Sequence, residues 1–280
     1  MAESLRASRT AVQVCQGRAA SSVLDDPTAW ELLRPSEREP VRWVREGSVP
    51  SAWRERVEYE TVRATAELMA PRTVAIDRAV VECSAPQVVI LGAGLDGRAW
   101  RLVSDRTVFE VDQPASQADK KSRAVSLGPG PSYVPVDFRT DRLSSVLAEA
   151  GLSSELATVW VWEGVVPYLT SAEVAATAAE VARCSAPGSR LVVNFQTPGR
   201  GLALGRFVSR LLSWSAGRAS VWRDEPWRST WTVPEMAALL RRNGFGEIRE
   251  VDLGAVAEEL GVVIRRPASM RHGRVVVADL

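Results

Sequence analysis

Residues 88–102 read VVILGAGLDGRAWRL, an apolar run, a glycine turn and a helix start with nothing between them. Val88 to Leu91 are apolar without polar alternation, which predicts a strand buried on both faces, as in a parallel sheet covered by helices. Gly92 and Gly94 let the backbone turn tightly and approach a ligand, and a helix opening near Arg98 aims its free amides back at the turn. Such a loop takes a nucleotide-like or anionic ligand. Gly92, Gly94 and Gly97 also satisfy the G-x-G-x-x-G dinucleotide fingerprint, with Asp112 about 20 residues downstream. A nicotinamide or flavin enzyme and other nucleotide-like ligands both stay open at this point.

Outward from this loop the chain alternates with the period of a doubly wound sheet. Strands are expected near 87–91, 107–111, 132–136, 157–162, 190–195, 245–251 and 273–279. Helices are expected near 97–104, 114–127, 140–150, 171–185, 233–243 and 255–264. Before the sheet, 3–23 is helix-compatible, and LDDP at 24–27 caps a short helix around Ala29 to Leu33. The prolines and glycine of 34–50 predict irregular or short helical pieces, followed by helices over 51–69 and about 72–83. The expected organisation is one structural unit: a helical cap segment, 1–85, and a core, 86–280, with 196–231 as a lid insertion too long for an ordinary connection.

Bulk properties exclude several classes. With 280 residues and 46% hydrophobic content the chain can fill one large α/β domain. Its 35 basic and 34 acidic residues leave a formal charge of +1, so neither nucleic acid nor an anionic membrane is an expected partner. Cys15, Cys83 and Cys184 are far apart and lack metal-ligand spacing, which points to a reducing, cytoplasmic compartment and to no metal site. The start MAESLRASRT has no apolar signal core, and no run of about 18 apolar residues occurs. Basic residues are almost all Arg, with Lys120 and Lys121 the only lysines.

The chemistry lies at the strand ends. FEVDQP ends strand two with Asp112 and Gln113, VPVDF ends strand three with Asp137 and Phe138, and VWEG ends strand four with Glu163. In an open α/β sheet these ends line the ligand crevice. A carboxylate after strand two suits two ribose hydroxyls, and an acid followed by an aromatic ring suits an adenine amine and its face. Glu163, near the glycine loop, would meet a positive group. A methionine-derived ammonium fits that role and nothing in a dinucleotide does, so the set favours S-adenosylmethionine over NAD.

These pieces carry a resemblance. LDDPTAWEL, APRTVAIDRAV, VVILGAGLDGRAWRL, FEVDQP, VPVDF and WEGVVPYL, in this order over about residues 18–170, resemble the leucine carboxyl methyltransferase-like S-adenosylmethionine-dependent methyltransferases, which include polyketide O-methyltransferases. The resemblance implies a class I methyltransferase fold, Rossmann-like: a seven-stranded, mostly parallel sheet with helices on both faces, an N-terminal helical segment and a helical lid. It also implies that Arg72 meets the methionine carboxylate, a task suited to a guanidinium fork. By the same resemblance Gly92 and Gly94 form the cofactor loop, with Asp112 at the ribose, Gln113 among the cofactor contacts, Asp137 and Phe138 at the adenine, and Glu163 at the amine. Tyr168 matches a tyrosine near the methyl-transfer region. Gly97, Pro167 and Thr170 depart from the family pattern.

Methyl transfer is an in-line displacement in which positioning can supply about 7–11 kcal/mol. A carboxylate acceptor needs no base, and the one histidine, His272, is far in sequence from the crevice motifs, so carboxyl O-methylation is the expected reaction. Trp214, Trp222, Trp227 and Trp231 crowd the expected lid and suit a flat, small-molecule acceptor such as a polyketide-type secondary metabolite. The alternatives are an NAD(P)-dependent oxidoreductase using Gly92, Gly94 and Gly97, and a cofactor-binding protein without turnover.

Overall fold

The computed structural model describes residues 8–137, 140–199, 227–265, 270 and 272–280. Seven strands form one sheet: β1 (Gln87–Leu91), β2 (Thr107–Asp112), β3 (Ser132–Pro135), β4 (Thr158–Trp162), β5 (Arg190–Gln196), β6 (Glu247–Val251) and β7 (Gly273–Asp279). Their order is β3-β2-β1-β4-β5-β7-β6. β7 is antiparallel to both β5 and β6, and the remaining pairs are parallel, so the sheet is seven-stranded and mostly parallel, as the resemblance implies. The chain leaves β1 towards β2 and β3, then returns to β4 on the other side, so the order reverses at β1. Ligands bind at such a reversal, outside the carboxyl ends of the strands. The quoted glycine loop occupies that place.

Both faces of the sheet are covered, which is why β1 and β4 read as unbroken apolar runs. On one face Val89, Leu91, Trp160 and Trp162 pack with α7 (Leu143–Glu149), α8 (Ser171–Arg183) and α9 (Val233–Arg242). On the other, Val88, Ile90, Val159 and Val161 pack with α4 (Trp53–Val81), α5 (Arg98–Arg101) and α10 (Leu253–Glu259). Successive strand residues thus alternate between two buried layers. α6 (Pro114–Arg123) follows β2. No described helix is long and apolar enough to cross a membrane.

The N-terminal part holds α1 (Arg9–Ala20), α2 (Pro27–Glu31), α3 (Pro35–Glu46) and α4. Two elements differ from what the sequence predicts. In place of irregular or short helical pieces within 34–50, α3 is one helix running through Pro40; Glu37 Oε2 accepts the Arg34 N–H at 2.9 Å and Gly47 ends the helix at φ 68°. The two expected helices around 51–83 are a single helix, α4, continuous across Pro71. A mid-helix proline costs about 3 kcal/mol. Packing supplies the difference: Val62 and Ala66 bury in a core formed with α1 to α3, while Ala75, Ile76, Ala79 and Val80 bury against the sheet. Leu95 of the glycine loop is buried in the same N-terminal core, so helices and loop are packed as one body. Residues 200–226, most of the expected lid, lie outside the described residues together with Trp214 and Trp222, and so does Phe138.

Candidate functional site

The glycine loop is shaped by close approach. Gly92 holds φ +65°, and a Cβ there would overlap Val165 Cγ2, so an L side chain is excluded both by conformation and by space. Gly97 is needed for a different reason. A Cβ at Gly97 would overlap Thr28 Oγ1 and lie 2.7 Å from Thr28 Cβ, so the third glycine of the dinucleotide-like pattern serves contact with the start of α2. The sequence pattern alone could not reveal that partner, 69 residues upstream.

At the end of β2, Asp112 stands beside this loop. Its Oδ2 accepts the Gly94 N–H at 2.6 Å and the Ser116 hydroxyl at 3.1 Å, and its Oδ1 accepts the Gln113 N–H at 2.7 Å. Gln113 is exposed at the start of α6. Asp137 is one strand further out: the Val136 N–H donates to the Asp112 carbonyl at 2.9 Å, and the Asp137 N–H donates to Asp141 Oδ2 at 2.9 Å. Three of the sequence-derived positions, the loop, Asp112 and Asp137, therefore lie along neighbouring strand ends.

Glu163, at the end of β4, is the hub of a buried charge cluster. Its Oε2 accepts from Arg18 Nη2 at 2.9 Å and Arg98 Nη1 at 2.7 Å, and Arg72 Nη2 lies 2.8 Å from Oε1. Arg98 also reaches Asp77 Oδ1 at 2.6 Å through Nε, and its backbone N–H donates to Asp96 Oδ1 at 2.8 Å. Burial alone would raise the carboxyls, but the guanidiniums outweigh it and hold Glu163 well below the usual carboxylate range and Asp96 at about 2. For Arg18 and Arg98 the surrounding acids likewise outweigh burial and raise the guanidinium. Arg72 differs: burial lowers it, and Glu163 offsets this only in part. Its Nη2 is engaged by Glu163 Oε1, while its Nε–H is a buried donor without a hydrogen-bond partner. A guanidinium with a donor left over, next to a carboxylate, suits a group that carries both a carboxylate and an ammonium.

The sequence pointed to Arg72 and Glu163 for the carboxylate and the amine of one methionine tail, and did not single out Arg18, Asp77, Asp96 and Arg98. The only signal for these was the clustering of charged residues within apolar stretches; which of them converge is a property of the tertiary packing of α1, α4 and the loop.

Other positions fall along the same rim. Tyr168 lies in a 3-10 turn, Val166–Tyr168, after β4. Arg228 N–H donates to the Pro167 carbonyl of that turn at 2.7 Å, and Trp231 N–H donates to the Gln196 carbonyl at the end of β5 at 2.9 Å. Trp227 thus adjoins this segment, while Trp231 packs against the core cluster and donates its indole N–H to Ser229 Oγ at 3.2 Å. His272 is brought to the rim too, because β7 runs antiparallel: the Thr197 N–H donates to the His272 carbonyl at 2.8 Å. Far in sequence from the crevice motifs, it lies on the same edge of the sheet.

The chain resembles known proteins. Residues 7–182 match the sequence profile of the family described as Leucine carboxyl methyltransferase. A Mycolicibacterium paratuberculosis protein assigned to the S-adenosyl-L-methionine-dependent methyltransferases is 32% identical over 205 residues, 68% of this chain and 64% of that protein. One of Saccharopolyspora erythraea with the same assignment is 34% identical over 210 residues, 70% of each chain. Among solved structures, a protein of Thermobifida fusca assigned as a methyltransferase superposes with a TM-score of 0.59 at 13% identity, over 99% of this chain and 96% of that one. A Nostoc punctiforme protein assigned as an O-methyltransferase reaches 0.51 at 13% identity, over 94% of this chain and 72% of that one. These two likenesses concern the fold, a class I methyltransferase sheet.

Proposed function

The chain belongs to the leucine carboxyl methyltransferase family of S-adenosylmethionine-dependent methyltransferases, and from that premise we propose that it O-methylates a small, aromatic or polyketide-type acceptor, at a carboxylate. The observation that carries the cofactor part is the unpartnered Arg72 Nε–H, in a guanidinium set against the Glu163 carboxylate, next to the glycine loop and Asp112. In this reading Arg72 takes the methionine carboxylate and Glu163 the ammonium. Gly92 and Gly94 let the backbone approach the nucleoside, Asp112 and Gln113 serve the ribose, and Asp137 with Phe138 the adenine. When bound, S-adenosylmethionine supplies a methyl group activated by a sulfonium.

The protein's own contribution is to orient. Residues 1–85 act as a cap, closing the methionine end through Arg18 and Arg72, and residues 86–280 form the core. Residues 196–231 act as the lid, with Trp214, Trp222, Trp227 and Trp231 available to a flat acceptor and Tyr168 beside its approach. A carboxylate reaches the site already ionised and requires only placement and exclusion of water. An acceptor of this kind fits secondary metabolism, and three free cysteines fit a cytoplasmic, reducing compartment.

A second reading is favoured by the place of His272. At the rim of β5 and β7 it could take the proton of a phenol or hydroxyl acceptor. Incubation with labelled S-adenosylmethionine and a metabolite extract, followed by identification of the labelled product, tests the main proposal; a base-labile methyl ester is expected. Loss of turnover in His272→Gln with a phenol ether as product would replace the carboxylate reading. Stabilisation by NAD(P) and not by S-adenosylhomocysteine would remove the methyltransferase reading. Trp227→Ala is expected to raise KM for the acceptor; an unchanged KM with a lowered Tm reduces that tryptophan to packing.

A further inference from the structure

Lys120 is one of two lysines in a chain with 35 basic side chains, and it is buried among groups for which the cofactor reading has no use. From α6 its ammonium donates to the carbonyl oxygen of Asp96, in the glycine loop, at 2.6 Å. It pairs with Glu110 Oε2 at 2.6 Å and sits 5.5 Å from the centre of the Trp100 ring. The side chains of Lys120 and Glu110 are 1% and 0% exposed. Glu110 stands two residues before Asp112 on β2 and therefore shares its face. β2 thus grips the loop twice: Asp112 accepts the Gly94 N–H directly, and Glu110 holds the ammonium that holds the Asp96 carbonyl.

Stability alone explains this arrangement poorly. Burying two ions costs about as much as their attraction returns, and an apolar pair of similar volume often serves as well or better. What an apolar pair cannot supply is a donor to the Asp96 carbonyl. A guanidinium, planar and forked, is a poor substitute for a compact ammonium serving a carbonyl, a carboxylate and a ring face in a closed space. We propose that Lys120 is a positioning residue: held by Glu110, it fixes the Asp96 carbonyl and with it the glycine loop that faces the cofactor. The proposal rests on the cofactor reading above for its ligand, while the loop contact itself belongs to the protein. Burial pushes the Glu110 carboxyl up to about 7, and Lys120 offsets this only in part, so the pair is maintained at a cost in stability.

The test compares the wild type with Lys120→Met and with the double variant Glu110→Met/Lys120→Met. S-adenosylhomocysteine affinity is measured by calorimetry well below each Tm, and amide hydrogen exchange of residues 92–97 is measured without ligand. Lys120→Met is expected to lower Tm, to weaken binding by roughly tenfold or more, as for a lost charge-assisted hydrogen bond, and to speed loop exchange. The double variant no longer buries an unpaired carboxyl group and is expected to regain Tm while binding stays weak and exchange stays fast. Affinity that returns with Tm in the double variant, or loop exchange like that of the wild type in Lys120→Met, overturns the proposal. A wild type that does not bind S-adenosylhomocysteine overturns the cofactor reading instead, and loop exchange then decides the role of Lys120 on its own.

Discussion

Replacing Glu163 by Gln keeps the shape of the hub and removes its charge. Three guanidiniums then lose their common partner: Arg18 at 2.9 Å, Arg98 at 2.7 Å and Arg72 at 2.8 Å. Arg98 keeps Asp77 and Asp96, but the next acid for Arg18 is Asp96 at 3.9 Å. The Glu163 side chain is 6% exposed, so water does little to compensate. Breaking a buried ion pair from one side costs about 3–5 kcal/mol, and at about 2–4 °C per kcal/mol this lowers Tm by roughly 6–20 °C. The sign with pH follows from the depressed carboxyl. Its stabilisation is fully present above the unfolded value, about 4.3, and is lost as pH falls through the lower folded value. Urea denaturation of both proteins, at pH 7 and then into acid as far as the wild type stays folded, reads the difference directly. It should be constant near neutrality and shrink below about pH 4.3. A loss under about 1 kcal/mol at pH 7, or a gap that persists unchanged in acid, refutes the assignment of Glu163 as the ionised centre of this cluster.

Gly97→Ala forces a Cβ into Thr28 and is expected to cost about 1–3 kcal/mol in urea denaturation. Adding Thr28→Gly should recover part of that loss in a double-mutant cycle, and strict additivity would dismiss the contact as the reason for glycine. Cys15, buried with its thiol donating to the Ala29 carbonyl at 3.2 Å and pushed up to about 12 by burial, is expected to resist thiol reagents in the folded protein. Labelling of Cys15 at the rate of an exposed cysteine, followed by mass spectrometry, would contradict the packing of α1.

Some of this was legible in residues 88–102 and in the strand ends. An unbroken apolar strand followed by a glycine turn can be satisfied in few ways, since period and backbone freedom are local properties. That is why β1, the loop and the acids at the ends of β2, β3 and β4 were found without a structure. The prolines of α3 and α4 misled for the same local reason: each breaks a helix in isolation, and only burial on both sides of Pro71 outweighs the lost hydrogen bond.

From the amino-acid order alone came the alternating architecture, the place of the glycine loop and the acids at its margin, because each depends on neighbours a few positions away. Tertiary structure alone decided that Arg18, Arg72 and Arg98 meet on Glu163, that Thr28 forbids a side chain at 97, and that Lys120 reaches the loop from α6. These contacts join residues that the chain separates by 24 to 145 positions. Charges so placed are stable only where packing excludes water and brings their counterions with them, and no local pattern encodes that.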